Sequence, residues 1–301
     1  MLALARRLRA DLAPVDRVHV AFYVLVLALC ALRFPALPAP ALSLSWYGGA
    51  LGATLLLARA LRGRSEATSA VVRSLYTMTV APVSFLMLGD VVPYVNPFHG
   101  ERWLRAIDDA MFFGVNPNEW LDRLAWPPLT EVLQLNYALY YFIPIVLFVC
   151  LLASRRHEGV SRGLFLVLLC LYASYVGYFV IPATGPNLNR LGLYPPHFTD
   201  PMPGLWVAQD LRQALHDAER IKQDCWPSGH TALSWTCLVL ARREHSRLAF
   251  WLLLPPVVAL IFSTMYLRYH YVIDVVCGFA LSWAVLRFGP HLYERARNSC
   301  G

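Results

Sequence analysis

Charge is scarce in this chain. Asp, Glu, Lys and Arg make up 15% of its 301 residues, against about a quarter in soluble domains. Lys222 is the only lysine, so the net charge of +7 rests on arginine. A basic balance can signal nucleic acid, but these arginines sit in short clusters between apolar runs, where topology signals belong. No internal repeat and no zinc-type cysteine spacing occur. The seven cysteines do not form a disulfide framework. Cys30, Cys150, Cys170, Cys237 and Cys277 fall inside apolar runs, where cysteine behaves as a small hydrophobe. Cys300 is in the tail, and Cys225 sits in a polar loop with no evident partner. A cleavable leader is not indicated either. Asp11 and Asp16 interrupt the basic N-terminal region, and the first apolar run ends at Arg33-Phe34-Pro35 without a small-residue cleavage site, so it reads as a retained span.

Long apolar runs are what the chain has in quantity. Hydrophobic residues make up 57% and the mean hydropathy is +0.47. Several runs approach the ~20 residues that cross a bilayer as helix. The reading is an all-α polytopic membrane protein with about eight transmembrane helices, at roughly 17–34, 42–61, 69–90, 131–153, 163–183, 229–241, 247–267 and 271–287. The sixth is short. The stretches 93–130 and 184–226 are too polar to span, and Trp103, Trp120 and Trp126 among the charges of the first predict interfacial helices. With the N-terminus inside, the clusters Arg6/Arg7/Arg9, Arg59/Arg62/Arg64, Arg155/Arg156/Arg162, Arg242/Arg243/Arg247 and Arg295/Arg297 all fall on the cytoplasmic side.

Two stretches on the opposite face carry chemistry. One is Cys225-Trp226-Pro227-Ser228-Gly229-His230-Thr231, the other Tyr266-Leu267-Arg268-Tyr269-His270-Tyr271-Val272-Ile273-Asp274. If the eighth span starts near His270, then His270 and Asp274 lie one turn apart on one helix face. The carboxylate can then fix the tautomer of the ring and leave its other nitrogen free to attack. A structural ion pair at a helix end is the bland alternative, but an ionisable pair in a span is costly and by default functional. Ser228 is a natural N-cap, Gly229 permits close approach of a ligand, and the amides and dipole of such a terminus attract phosphate. His230, in that first turn, is placed to protonate a leaving alkoxide. Alone, a Ser-Gly-His triplet reads as a capped helix with a surface histidine; paired with the second stretch it points to a site.

Pro227-Ser228-Gly229-His230 followed by His270-x3-Asp274 resembles the type 2 phosphatidic acid phosphatase superfamily. The His270-Tyr271-x-x-Asp274 form is similar to its phosphotransferase branch, which includes inositol phosphorylceramide synthase and sphingomyelin synthases. Ile107-Asp108-Asp109 leading to Phe113-Gly114-Val115-Asn116-Pro117, and Pro182-Ala183-Thr184-Gly185-Pro186-Asn187, share that likeness, which covers roughly residues 100–290. The resemblance implies a six-helix catalytic core, a phosphohistidine intermediate and no required metal or other cofactor. It assigns His270 as nucleophile, Asp274 as its partner and His230 as acid and base. The phosphatase branch's Lys-x6-Arg-Pro motif is missing, and although Ser263 matches a serine of its second motif, Thr264 stands where an arginine is expected. Arg268, Lys222 and Arg190 are the remaining candidates, with Ser228 and Gly229, for holding phosphate; interfacial anchoring is the alternative for all three cations.

The domain reading is a transmembrane hairpin over 1–65, a catalytic membrane domain over 66–290 and a cytoplasmic tail over 291–301. Asp108 and Asp109 read as a capping or structural pair. Gln134, Asn136, Tyr137, Tyr140 and Tyr141 either line a headgroup pocket or serve as aromatic belt and packing. His19 and the loop histidines read as solvated surface. The expected activity is lipid phosphotransfer, with a lipid phosphate or isoprenyl diphosphate phosphatase as enzyme rival and a non-catalytic lipid binder or transporter as third class. Partners are lipid substrates and the membrane, not nucleic acid. The arginine-rich composition places it in a bacterial plasma membrane, with the site outside and both termini cytoplasmic.

Overall fold

Backbone groups in hydrocarbon must bond within their own segment, which leaves helix as the outcome for each apolar run. The computed structural model describes residues 12–299; Arg6, Arg7, Arg9, Asp11 and Cys300 lie outside them. Among the described residues there is no strand. The first helices are α1 (Pro14–Leu32), α2 (Pro40–Ala60) and α3 (Glu66–Leu88), followed by a single helical turn at Val92–Val95 and two short helices, α4 (Glu101–Met111) and α5 (Pro117–Asp122). Then come α6 (Pro127–Ala138), continued through a 3₁₀ turn into α7 (Ile143–Ala153), and α8 (His157–Val180), α9 (Ala208–Ala218), α10 (Gly229–Arg243), α11 (Arg247–Tyr266) and α12 (Val272–Asn298). Proline opens α1, α2 and α6, where its missing N–H costs nothing. Ser65, Ser228 and Ser246 cap α3, α10 and α11. Trp103, Trp120 and Trp126 are exposed around α4 and α5, as interfacial helices require.

Among the described residues, seven helices are long and apolar enough to cross a membrane, with α6 and α7 counting as one. The eighth expected span, α10, has 15 residues, roughly 22 Å of helix at 1.5 Å per residue. It packs against α7, α8, α11 and α12 and so lies inside the bundle. The central helix is α8, whose apolar window is 67% buried against 28–39% for the other six. The last helix does not stop at 287; it runs to Asn298, so most of the expected tail is helical. Arg297 pairs with Glu158 at 2.8 Å and holds that end against the start of α8. At the same end Arg162 pairs with Glu244 at 2.7 Å and Arg73 with Asp16 at 2.9 Å.

His19 is a correction to the sequence reading. It is 1% exposed, with Nδ1 2.9 Å from the Tyr172 hydroxyl and Nε2 3.1 Å from Thr77 Oγ1. A polar ring on a span's inward face must find partners within the bundle, and these dock α1 onto α3 and α8.

Candidate active site

Two backbone devices set the positions of the histidines. The Ser228 amide donates to the Asp274 carbonyl at 3.1 Å, tying the start of α10 to the start of α12. Gly278, one turn further along α12, makes that approach feasible: a Cβ there would lie 2.7 Å from the Ser228 carbonyl oxygen and 2.9 Å from Thr231 Cβ. Gly278→Ala is therefore expected to cost about 1–3 kcal/mol through overpacking and to lower activity more than its stability loss explains, measured by thermal unfolding beside turnover. Gly229 is close-packed for another reason than ligand access, because the Cβ position is taken by Tyr178 Oη at 2.8 Å and Ser174 Oγ at 3.3 Å.

The second device is Asp108. Its two carboxylate oxygens accept from the amides of Val272 and Ile273, each at 2.8 Å, and so cap α12 from α4. Burial pushes the Asp108 carboxyl up to about 6, against the pull of those two amides. The neighbouring Asp109 accepts from Asn116 Nδ2 at 2.7 Å. The Asp-Asp pair is thus structural. Asp108→Ala leaves two first-turn amides unmet, a loss of about 1–3 kcal/mol. The expected result is a lowered unfolding midpoint together with a reduced turnover number, because the His270 turn loses its anchor.

His270 itself precedes α12 rather than sitting in its first turn, since the helix begins at Val272. Its amide and that of Tyr269 donate to the Thr264 carbonyl at 3.0 and 2.9 Å. The ring still meets the carboxylate, with Nδ1 3.5 Å from Asp274 Oδ2. On the other edge Nε2 faces His230 Nδ1 at 3.1 Å. The ring of His230 is flanked by Tyr137 and Tyr140, with centroids 4.9 and 4.4 Å away. Cys225 completes the group. Its thiol donates to Asp274 Oδ2 at 2.8 Å and lies 3.5 Å from His270 Nδ1. The thiol bond matches a proton on His270 Nδ1, both hydrogens pointing at one carboxylate oxygen, which leaves the Nε2 lone pair toward His230. Nothing in the chain order places Cys225 beside residue 274, so this partner is visible only in the folded protein.

The histidine pair stands where two spaces meet. An apolar cavity of ≈ 400 Å³ runs between α3, α7, α8 and α10 and reaches Gly229 and His230. A polar recess of ≈ 50 Å³ touches Cys225, His230 and His270. A wider polar groove of ≈ 460 Å³ lies beyond it and shares Asn187, Leu188 and His216 with the recess.

Residues 102–288, more than half of the chain, match the family model of the PAP2 superfamily. The chain belongs to that superfamily. No curated protein and no solved structure matches. As a PAP2 superfamily member, the protein is a membrane-embedded lipid phosphatase or phosphotransferase.

Lys222 lines the recess, although its ammonium also donates to the His216 carbonyl at 2.5 Å. Arg268 does not line it. Its guanidinium, 4% exposed, is engaged by the Asp122 carboxylate, by the His197 carbonyl at 2.9 Å, and by the Phe198 ring face at 4.5 Å. The Arg268 backbone adopts φ +64°, which turns the side chain toward α5 and away from His270. Arg190 is exposed and outside the recess as well. Two carboxylates, Glu219 and Asp224, border both the recess and the apolar cavity. Burial pushes both carboxyl groups up. Neither they nor Arg212, which lines the outer groove, carried a motif signal, because they come from a loop and helix packed over the site. That segment is pinned by Glu131, which accepts from the amides of Leu205, Trp206 and Val207 at 2.9, 3.1 and 2.9 Å.

Proposed function

We propose that the protein is a lipid phosphotransferase that moves a phosphate-containing headgroup from one lipid to the hydroxyl of another through phosphorylated His270. The observation that carries this reading is the 3.1 Å pairing of His270 Nε2 with His230 Nδ1, where His230 also lines a ≈ 400 Å³ apolar cavity. A lipid tail fits such a space, and its reacting group then lies beside His230.

In the first step the donor's phosphorus enters between the two rings, which separate to admit it. Nε2 of His270 attacks in line, an N–P bond forms, and the P–O bond to the donor alcohol breaks. His230 gives that oxygen a proton from Nδ1. Asp274, held by Cys225 and the Tyr271 amide at 3.0 Å, stabilises the charge that His270 acquires. The equatorial oxygens meet the first-turn amides of α10, which have no intrahelical partner, and the Lys222 ammonium. Ser228, whose hydroxyl accepts from the Thr231 amide at 3.3 Å, keeps those amides aimed. In the second step the acceptor hydroxyl loses its proton to His230, attacks phosphorus and regenerates His270. Transfer is favoured over hydrolysis because Lys222 is the one lysine or arginine lining the recess among the described residues, a poor cradle for a free phosphate dianion. We place the site on the outer leaflet side, opposite the arginine-rich loops.

The test is a transfer assay in mixed micelles with EDTA. Labelled ceramide or diacylglycerol is supplied with a panel of phospholipid donors and with phosphatidic acid, and His270→Ala is run alongside. A labelled phospholipid absent in the variant is the expected result. Free phosphate from phosphatidic acid with no transfer product would make the protein a phosphatase.

A further inference from the structure

Beyond its part in the reaction, the buried group around His270 has the composition of a metal site. Cys225, His270 and Asp274 each offer one ligand atom, and all three lie within 4.8 Å of one another. The separations are 3.5 Å for Sγ to Nδ1, 3.5 Å for Nδ1 to Oδ2 and 2.8 Å for Sγ to Oδ2. Zinc bonds of ~2.0–2.3 Å in a tetrahedron give ligand–ligand edges of roughly 3.3–3.6 Å. Two edges already match, and the third opens by roughly 0.7 Å once an ion replaces the S–H···O hydrogen bond. Asp274 Oδ1 is buried without a partner among the described residues, so the carboxylate has spare coordinating capacity. A route in exists, because the polar recess borders both Cys225 and His270. The donor set of thiolate, imidazole and carboxylate suits zinc and its chemical relatives rather than magnesium or calcium.

We propose that Cys225, His270 and Asp274 form a regulatory site for zinc-class divalent cations, and that occupancy switches the enzyme off by capturing His270 Nδ1. Binding displaces the Cys225 thiol proton to solvent and forms an S–metal bond. The inhibition follows from tautomer arithmetic. A neutral imidazole has one nitrogen lone pair available. With Nδ1 bound to metal, the proton resides on Nε2, and the nitrogen that faces His230 can no longer attack phosphorus. The ion also takes from Asp274 the oxygen that otherwise supports the imidazolium. The inhibitory half rests on His270 being the nucleophile, whereas the binding half does not.

The experiment uses the full-length protein in detergent, stripped with EDTA and then dialysed. Zinc stoichiometry is measured by equilibrium dialysis, and cobalt(II) is added separately to look for a thiolate-to-metal charge-transfer band. The wild type is expected to take up one tightly held equivalent and show the band. Cys225→Ser and Asp274→Asn should lose both, while Cys277→Ser, at a half-buried cysteine outside the group, retains both. Headgroup transfer should fall in proportion to occupancy and return on adding EDTA. Equal zinc uptake by wild type and Cys225→Ser, or cobalt binding without a thiolate band, would overturn the site. A band with the expected variant pattern but undiminished transfer would overturn the inhibitory role and count against His270 as nucleophile, while the binding site would stand. Thermal unfolding of each variant separates loss of ligand atoms from loss of fold.

Discussion

His270→Ala is expected to lower headgroup transfer by at least about a thousandfold, since removing the nucleophile of a covalent mechanism leaves only binding and electrostatic terms. The geometry makes this more than a generic active-site loss. Nε2 of His270 is aimed at the position between the two rings, 3.1 Å from His230 Nδ1, while Nδ1 is oriented by Asp274. The neighbouring Cys225 thiol does not share that aim, because it points at Asp274 Oδ2. His270 is 3% exposed, so the substitution also leaves a cavity, and unfolding midpoints must accompany the kinetics. Transfer retained within about tenfold would remove His270 from the chemistry.

The second large effect concerns His230 and depends on the leaving group. A lipid alkoxide leaves poorly without a proton, so His230→Ala is expected to slow transfer from a phospholipid by about 10²–10⁴-fold. A nitrophenyl phosphate donor needs no such help, and its first step should lose far less. Phosphorylated enzyme should then accumulate, because the variant also lacks the base that activates the acceptor. Burst kinetics with the nitrophenyl donor read this directly. Equal losses with both donors would assign His230 to binding or packing, since Tyr137 and Tyr140 flank its ring.

The helices and each of the two histidine motifs were legible in the sequence because each is a local signal, and the two motifs were joined by their common membrane face and the family resemblance. Apolar runs define spans through hydropathy alone, and Ser228 before Gly229-His230 marks a helix start that the structure reproduces. His270 and Asp274 are four residues apart, so their contact needed only a correct local geometry. The span expected from about 271 begins as helix at Val272, where Asp108, from a distant segment, caps the amides of Val272 and Ile273.

What was not legible came from long-range packing. Cys225 reaches Asp274 only because the Ser228 amide ties α10 to α12. Glu219 and Asp224 enter the site through a segment fastened by Glu131, and no spacing rule links residue 131 to the amides of 205–207. Arg268 shows the converse error. Its two-residue distance from His270 suggested a phosphate ligand, whereas its φ of +64° sends the guanidinium to Asp122. Proximity in sequence fixed the position of that residue but not its direction. His19 failed similarly, because hydropathy reports an apolar span but not which face meets Tyr172 and Thr77.

The most direct test of the account is to find the intermediate. Purified protein is mixed with a phospholipid donor carrying labelled phosphate, without acceptor lipid, quenched in denaturant at alkaline pH and digested for peptide mapping. The expected product is an acid-labile, alkali-stable labelled phosphoryl headgroup on the peptide containing His270, present in the wild type and absent in His270→Ala; a parallel reaction with a labelled nitrophenyl phosphate donor should trap more label in His230→Ala than in the wild type. Label on another residue would contradict the assignment of the nucleophile. Robust turnover with no trapped label, under conditions where His230→Ala should accumulate it, would contradict the phosphohistidine route itself.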